Sequence, residues 1–378
     1  MPGLIKSNHS ETRLVRATIP SQGDRVASPE SFGSSEYRFT TLEPNHIVVE
    51  DEPMDDERWS RLAFALSIPC KEQRRSCPEA RRFAQQMRRR SSSITSRQTA
   101  DLLCPLLSSI LRPNANLRCR RSTLFHRDSI PDDVPDFEVE DGWKRQLPTP
   151  KPTFTIGYGA QAFTFHQLEL QQGIIANNRN EPCDLHKVSQ PLPEVYWPFF
   201  VVEVQDESML AARNAAAGSA ATCNNGLMIF AGAAEQPYRV HHDMRFLWTL
   251  SRAVQSFSLA INGKTACLNT HNSEGCLPHA VSVIKTYRLD NEDDMEALAS
   301  RLGSIMVWAE NCRLASVLDL LDKFDDRVRL AKIPSSASHR SYDPTELANF
   351  GTMQRRRKSS IIKDVFVDSL PRWARGLS

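Results

Sequence analysis

The sequence predicts an α/β protein with a mixed central β-sheet flanked by helices. Three observations carry that expectation. The run Phe199-Phe200-Val201-Val202-Glu203-Val204-Gln205 is almost continuously apolar, as in a strand covered on both faces. The next stretch, Met209–Thr222, is nearly all small residues, with Arg213 and Asn214 the large polar exceptions, and alanine favours a helix that packs closely on a sheet. Residues Phe257–Ile261, Asn262-Gly263 and Thr265–Thr270 make a hairpin pattern with a primed turn.

The totals bound the rest. A chain of 378 residues, 40% of them apolar, can bury one sizeable core, while 23 prolines point to long parts outside it. The net charge of +2 conceals local basic clusters. Nine scattered cysteines, an odd number, suit reduced thiols in the cytosol or nucleus better than a disulfide framework. Met1–Ser10 lacks the apolar core of a secretory signal, and no segment approaches the roughly 20 apolar residues that span a bilayer. A soluble intracellular protein with no membrane partner is the expectation.

In chain order, 1–35 is polar and serine-rich and reads as a disordered tail. Residues 36–115 read as a helical N-terminal extension, with a short extended piece at Ile47–Val49, an apolar-periodic run at Trp59–Leu66 and a helix at Thr99–Leu111 stopped by Pro113. Inside it, Lys71–Ser96 is the strongest basic run. Arg88, Arg89 and Arg90 there suit sequence-independent contact with nucleic-acid phosphates, or a solvated linker or helix face, and Ser91–Ser93 beside them resembles a basophilic kinase site.

Residues 116–330 read as the core. Its entry is a basic cluster from Arg118 and an acidic loop whose Asp132, Asp133, Asp136 and Asp141 lack the spacing of an EF-hand. Thr153–Tyr158 alternates as a strand should, with Phe154, Ile156 and Tyr158 on the buried face, and Gln161–Gln172 can form a helix carrying Glu169. A long loop, Gly173–Pro198, leads to the apolar strand, where the period of two puts Glu203 and Gln205 on one side. After the hairpin come a strand at Val281–Tyr287, an Asn291 cap, and helices at Glu292–Ala309 and Leu314–Phe324. Residues 331–378 form a basic disordered tail, and Arg355-Arg356-Arg357-Lys358 has the composition of a nuclear-import signal.

The order strand, helix, strand with Glu-x-Gln, helix, hairpin, strand and terminal helices resembles the PD-(D/E)XK nuclease-like superfamily, with its restriction-endonuclease-like core. The chain looks most like a fungal branch of that superfamily. There a Thr-Pro-Lys-Pro-Asp strand leads to a Gly-Tyr turn, and a later apolar strand ends in Glu-x-Lys before an alanine- and glycine-rich helix. The matching residues are Thr149-Pro150-Lys151-Pro152-Thr153 with Gly157-Tyr158, then Glu203-Val204-Gln205, then Ala211–Ala221. The resemblance implies a catalytic site of Thr153, Glu203 and Gln205, with Glu203 and the helix-borne Glu169 as ligands of Mg²⁺. Thr153 replaces the acidic residue and Gln205 the lysine, so the resemblance implies a degenerate nuclease; the candidate contacts to nucleic acid are Arg88, Arg89 and Arg90 of the basic run and Arg213. An active Mg²⁺-dependent nuclease on Glu203 and Glu169, and a scaffold for protein partners, stand as alternatives. For Glu203 itself, a structural carboxylate is the competing reading.

Zinc is a competing candidate ligand. Cys267, His271, Cys276 and His279, and separately Cys183 with His186, have spacings that zinc tolerates, but the paired Cys-x-x-Cys of structural zinc sites is missing. His241-His242-Asp243 reads as a polar loop.

Overall fold

Seven strands form one mixed sheet with helices on both faces. The computed structural model describes residues 32–69, 77–90, 94–131, 147–176, 182–206, 208–234, 250, 253–273 and 279–332. The sheet strands are β1 (Ile47–Pro53), β2 (Leu117–Arg121), β3 (Phe154–Tyr158), β6 (Tyr196–Val204), β7 (Ser256–Ile261), β8 (Thr265–Ser273) and β9 (His279–Arg288), in the spatial order β1-β9-β8-β7-β6-β3-β2. β6 and β7 are parallel, as are β1 and β9; the other neighbours are antiparallel. A separate small hairpin pairs β4 (Ile174–Ala176) with β5 (Pro182–Asp184), inside the stretch expected as loop.

The helices are α1 (Asp56–Leu66), α2 (Pro78–Arg89), α3 (Ser96–Leu111), α4 (Phe165–Leu170), α5 (Leu185–Ser189), α6 (Met209–Ala234), α7 (Glu292–Trp308) and α8 (Leu314–Lys332). Local sequence sets their starts. Thr95 and Thr164 each make a reciprocal capping box, and Asn291 accepts from the N–H groups of Asp293 and Asp294 at the acidic first turn of α7. A π-helical turn, Ala309–Arg313, joins α7 to α8.

α6 is the crossover between the parallel pair β6 and β7. It runs for 26 residues, well past the expected stop at Thr222, because Asn224, Asn225 and Gly226 are buried against the sheet and α5 rather than marking an end. The expected helix at Gln161–Gln172 is reduced to a 3-10 turn at Ala160–Ala162 and the short α4. The hairpin β7–β8 forms as expected, but its turn is not primed. Neither Gly263 nor its neighbours take a positive φ; the Asn262 carboxamide oxygen instead accepts from the N–H groups of Lys264 and Thr265.

Two strands come from unexpected places. β2 is an edge strand made of the arginine cluster, and β1 brings part of the 36–115 stretch into the sheet beside β9. Gly157 is fixed by packing: a Cβ there would lie 2.6 Å from the Tyr196 carbonyl oxygen and 2.6 Å from Val195 Cγ1. The adjoining Tyr158 hydroxyl donates to the Ala309 carbonyl at 2.9 Å, tying β3 to the π turn.

The sheet has unlike faces. Along β7, Phe257, Leu259 and Ile261 join an apolar cluster with Val202, Leu302, Ile305 and Trp308, the Phe257 and Trp308 rings meeting edge-on at 5.4 Å. Ser256, Ser258 and Ala260 face α6 instead: Ser256 Oγ donates to the Ala220 carbonyl, and Ala260 packs on Ala212 and Ala216.

Candidate functional site

The carboxyl end of β6 brings the central motif under α6. Glu203 is 6% exposed, and its Oε1 accepts from Ser219 Oγ at 2.9 Å. The Thr153 backbone N–H also donates to this carboxyl. Burial outweighs both bonds and pushes the Glu203 pKa up to about 7. A cavity of about 220 Å³ opens here, bounded by Tyr37, Pro148, Lys151, Glu203, Gln205 and Ser219 among others. Tyr37 is buried, which keeps its phenol neutral, and its ring meets Phe32 edge-on at 5.1 Å. Gln205 donates its backbone N–H to Ile261 at 2.9 Å, which leaves its amide side chain half-buried at the cavity.

Thr153 contributes less than its motif position suggests. Its Oγ1 accepts the Val204 N–H at 3.1 Å and lines a different hollow, on the α3 side. That hollow, about 520 Å³, is also bordered by Ser96, Arg97, Asp101, Arg121 and Val204. Arg121 pairs with Asp101 at 2.6 Å and lies over the Phe154 ring, while Arg97 is exposed.

Glu169 does not join Glu203. β3 and β6 are antiparallel, so α4, which follows β3, sits at the far end of β6: Phe163 packs on Tyr196 at 5.5 Å and His166 pairs with Asp325. Tyr196 precedes Glu203 by seven strand residues, roughly 23 Å. The expected pair of Mg²⁺ ligands is therefore split, because sequence order does not say at which end of a strand the next helix lies.

The donor set at Glu203 does not fit Mg²⁺. Among the described residues it consists of one carboxyl that burial favours protonated and one neutral amide, and the Thr153 hydroxyl oxygen is already engaged. Among the described residues no three His, Cys, Asp or Glu side chains converge as metal ligands.

Two of the four expected phosphate-binding arginines, Arg88 and Arg213, are committed elsewhere. Arg88 donates to the Asp290 carbonyl and lies 3.8 Å from Glu292, in a line of contacts that includes Arg81–Glu296 at 2.6 Å. These hold α2 against α7, since Phe83, Ala84 and Met87 form the buried side of the same helix. Arg89 and Arg90 are exposed. Arg213 is not a surface cation: its guanidinium pairs with Asp51 and donates to the Glu50 carbonyl at 2.5 Å, fastening α6 to β1.

The zinc spacings are filled otherwise. His271 Nε2 lies 2.7 Å from Ser258 Oγ, and Cys267 Sγ donates to Asn269 Oδ1. Burial lowers the pKa of His271 to about 3 and of His279 to about 4, so both are neutral core histidines. Cys183 is buried in β5, and His186 lies in α5. Cys276, Ser91–Ser93, Asp132, Asp133, Asp136, Asp141, His241-His242-Asp243 and the 355–358 cluster lie outside the described residues.

Sequence reasoning missed Lys151 and Tyr37 as cavity residues. The Pro150-Lys151-Pro152 sandwich was a signal for the first, since flanking prolines hold a lysine on an extended backbone. Nothing local marks Tyr37, which reaches the site only through the fold.

The model of a domain of unknown function, DUF7924, matches residues 79–317, more than half of the chain. The chain belongs to the DUF7924 family. The DUF7924 match runs from the first turn of α2 into α8 and takes in Lys151, Glu203 and Gln205, whereas β1, Phe32 and Tyr37 precede it. No curated protein matches the chain. No helix among the described residues is long and apolar enough to cross a membrane.

Proposed function

We propose that this protein is a catalytically degenerate PD-(D/E)XK nuclease-like module that binds nucleic acid. One observation carries the reading: Glu203, the retained carboxyl of the motif, stands buried and, among the described residues, without a second carboxylate in its cavity. The element order supports the resemblance, with β3, α4, β6 carrying Glu203 at its carboxyl end, α6, the β7–β8 hairpin, β9 and the terminal helices α7 and α8 following one another along the chain. The binding half of the proposal is supported by the hollow on the α3 side of the same strand end, where Arg97 is exposed and Arg121, paired with Asp101, ends the basic edge strand β2. The free cysteines suit a reducing intracellular setting, and the basic 355–358 run suits the nucleus.

Titrating single- and double-stranded DNA and RNA at several salt concentrations, with Mg²⁺ or Mn²⁺ and with chelator, tests both halves. Expected are intact nucleic acid and binding that weakens as salt rises, with a shallower salt dependence in Arg97→Ala/Arg121→Ala. Metal-dependent cleavage abolished in Glu203→Ala would make the protein an active nuclease instead. Neither binding nor cleavage would leave the protein-interaction scaffold.

A further inference from the structure

The cavity beside Glu203 is small, polar at its floor and aromatic at one wall. Its volume of about 220 Å³ lies below the roughly 300–1,000 Å³ of sites for drug-sized ligands, so it suits one ring system. Tyr37 and Phe32, their rings edge-on to one another, both line it as an aromatic wall, and Pro148 adds an apolar surface. The floor carries Glu203 and Gln205, two residues apart on one side of β6.

Those two groups are held differently. Ser219 and the Thr153 N–H fix the Glu203 carboxyl in one orientation while using only part of its hydrogen-bonding capacity. The Gln205 amide has no side-chain partner among the described residues, and it can both donate and accept. Lys151 is exposed at the same cavity and supplies its positive charge.

This combination selects among ligands. A divalent cation needs more anionic oxygen than one buried carboxyl supplies. A phosphate would meet that carboxyl at the floor, with Lys151 as its one positive partner among the described lining residues. An apolar ligand would bury the Gln205 amide without a partner, which costs free energy. A flat heterocycle that stacks on an aromatic ring and carries adjacent donors and acceptors on its edge satisfies every group present.

We propose that this cavity takes one unpaired nucleobase, carried by a single strand or by a free nucleotide, with Tyr37 as its stacking surface, Glu203 and Gln205 reading its edge and Lys151 meeting the adjoining phosphate. The inference rests on the nucleic-acid reading and narrows it, because a base enters such a cavity only out of its stack, which a single strand allows at least cost.

The test titrates full-length protein with three probes: a single-stranded oligonucleotide, the same backbone with abasic positions, and a nucleoside monophosphate. Each probe is measured with wild type, Gln205→Leu and Lys151→Ala, and thermal melts confirm that the variants fold. The expected result is about ten-fold or greater preference for the base-bearing strand over the abasic one, lost in Gln205→Leu. Equal binding of both strands, unchanged in Gln205→Leu, would overturn the base site and leave the nucleic-acid reading standing. Binding of the monophosphate alone, weakened in Gln205→Leu, would keep the base site and overturn the nucleic-acid reading. Binding of none of the three probes would overturn both.

Discussion

The two faces of the sheet are both buried, yet they are built from opposite chemistry. Towards α7 the strands present Phe257, Leu259 and Val202, which meet Trp308 of that helix in an apolar, aromatic layer. Towards α6 they present Glu203, Ser256, Ser258, Asn269 and His271, beneath a helix whose small side chains let backbone and hydroxyl groups approach. The first face holds the fold by area removed from water. The second holds it by hydrogen bonds, such as Asn224 Nδ2 to the His271 carbonyl at 3.1 Å and Asn269 Nδ2 to Ser258 Oγ at 3.1 Å. The difference teaches where a buried carboxyl can reside: the polar face carries Glu203 beside its cavity, whereas the hollow on the α3 side is lined by groups at the sheet's rim.

The sharpest way to break the comparison is Phe257→Ala, which should cost about 3–5 kcal/mol in denaturant unfolding because it opens a cavity in the close-packed face. A loss below about 1 kcal/mol would mean that this face is not the main source of stability.

Glu203→Gln probes the polar face through pH. The Glu203 pKa is raised from 4.5 to about 7 in the fold, so its contribution is fully present below about 4.5 and is lost as pH rises through about 7. At pH 8 the glutamine variant should therefore be more stable than wild type by about 3 kcal/mol, with the gap closing towards pH 4.5. Parallel stability curves across that window would place the carboxyl in water. His271 and His279 work in the opposite sense: their lowered pKa values give stability present above about 6.5 and lost as pH falls towards 3–4.

Ser258→Ala removes the hydroxyl shared by His271 and Asn269 and should cost about 1–3 kcal/mol, since both partners stay buried. The smallest expected effect is Arg213→Lys, about 1 kcal/mol or less, because its partner Asp51 is 65% exposed. Hydrogen exchange should report it as faster opening confined to β1; a uniform change across the sheet would speak against a local fastening.

The two faces were legible in the sequence to different degrees. Ser256-Phe257-Ser258-Leu259-Ala260-Ile261 alternates plainly, so the strand and its apolar side follow from the period of two. What β7's serines meet could not be read, because their partners come from β8 and α6. β2 was hidden because Leu117-Arg118-Cys119-Arg120-Arg121 has the composition of a basic loop; an edge strand tolerates arginines that a central one would not. The site was legible at Glu203 and Gln205, which share one strand side by local geometry alone. It failed at Glu169 and Arg213, whose roles depend on which end of a strand a helix occupies and which carboxylate lies across the fold.

The π turn between α7 and α8 has a mechanical meaning. Before it the helix packs on α2 and α3; after it the helix packs on α6 and α4. At the turn, the fully buried Arg313 donates to the Trp197 and Pro198 carbonyls, beside the Tyr158 hydroxyl bond to Ala309. One rod thus changes sides at a clamped pivot, and a displacement of α6 at the polar face has a rigid lever through which to reach the aromatic layer.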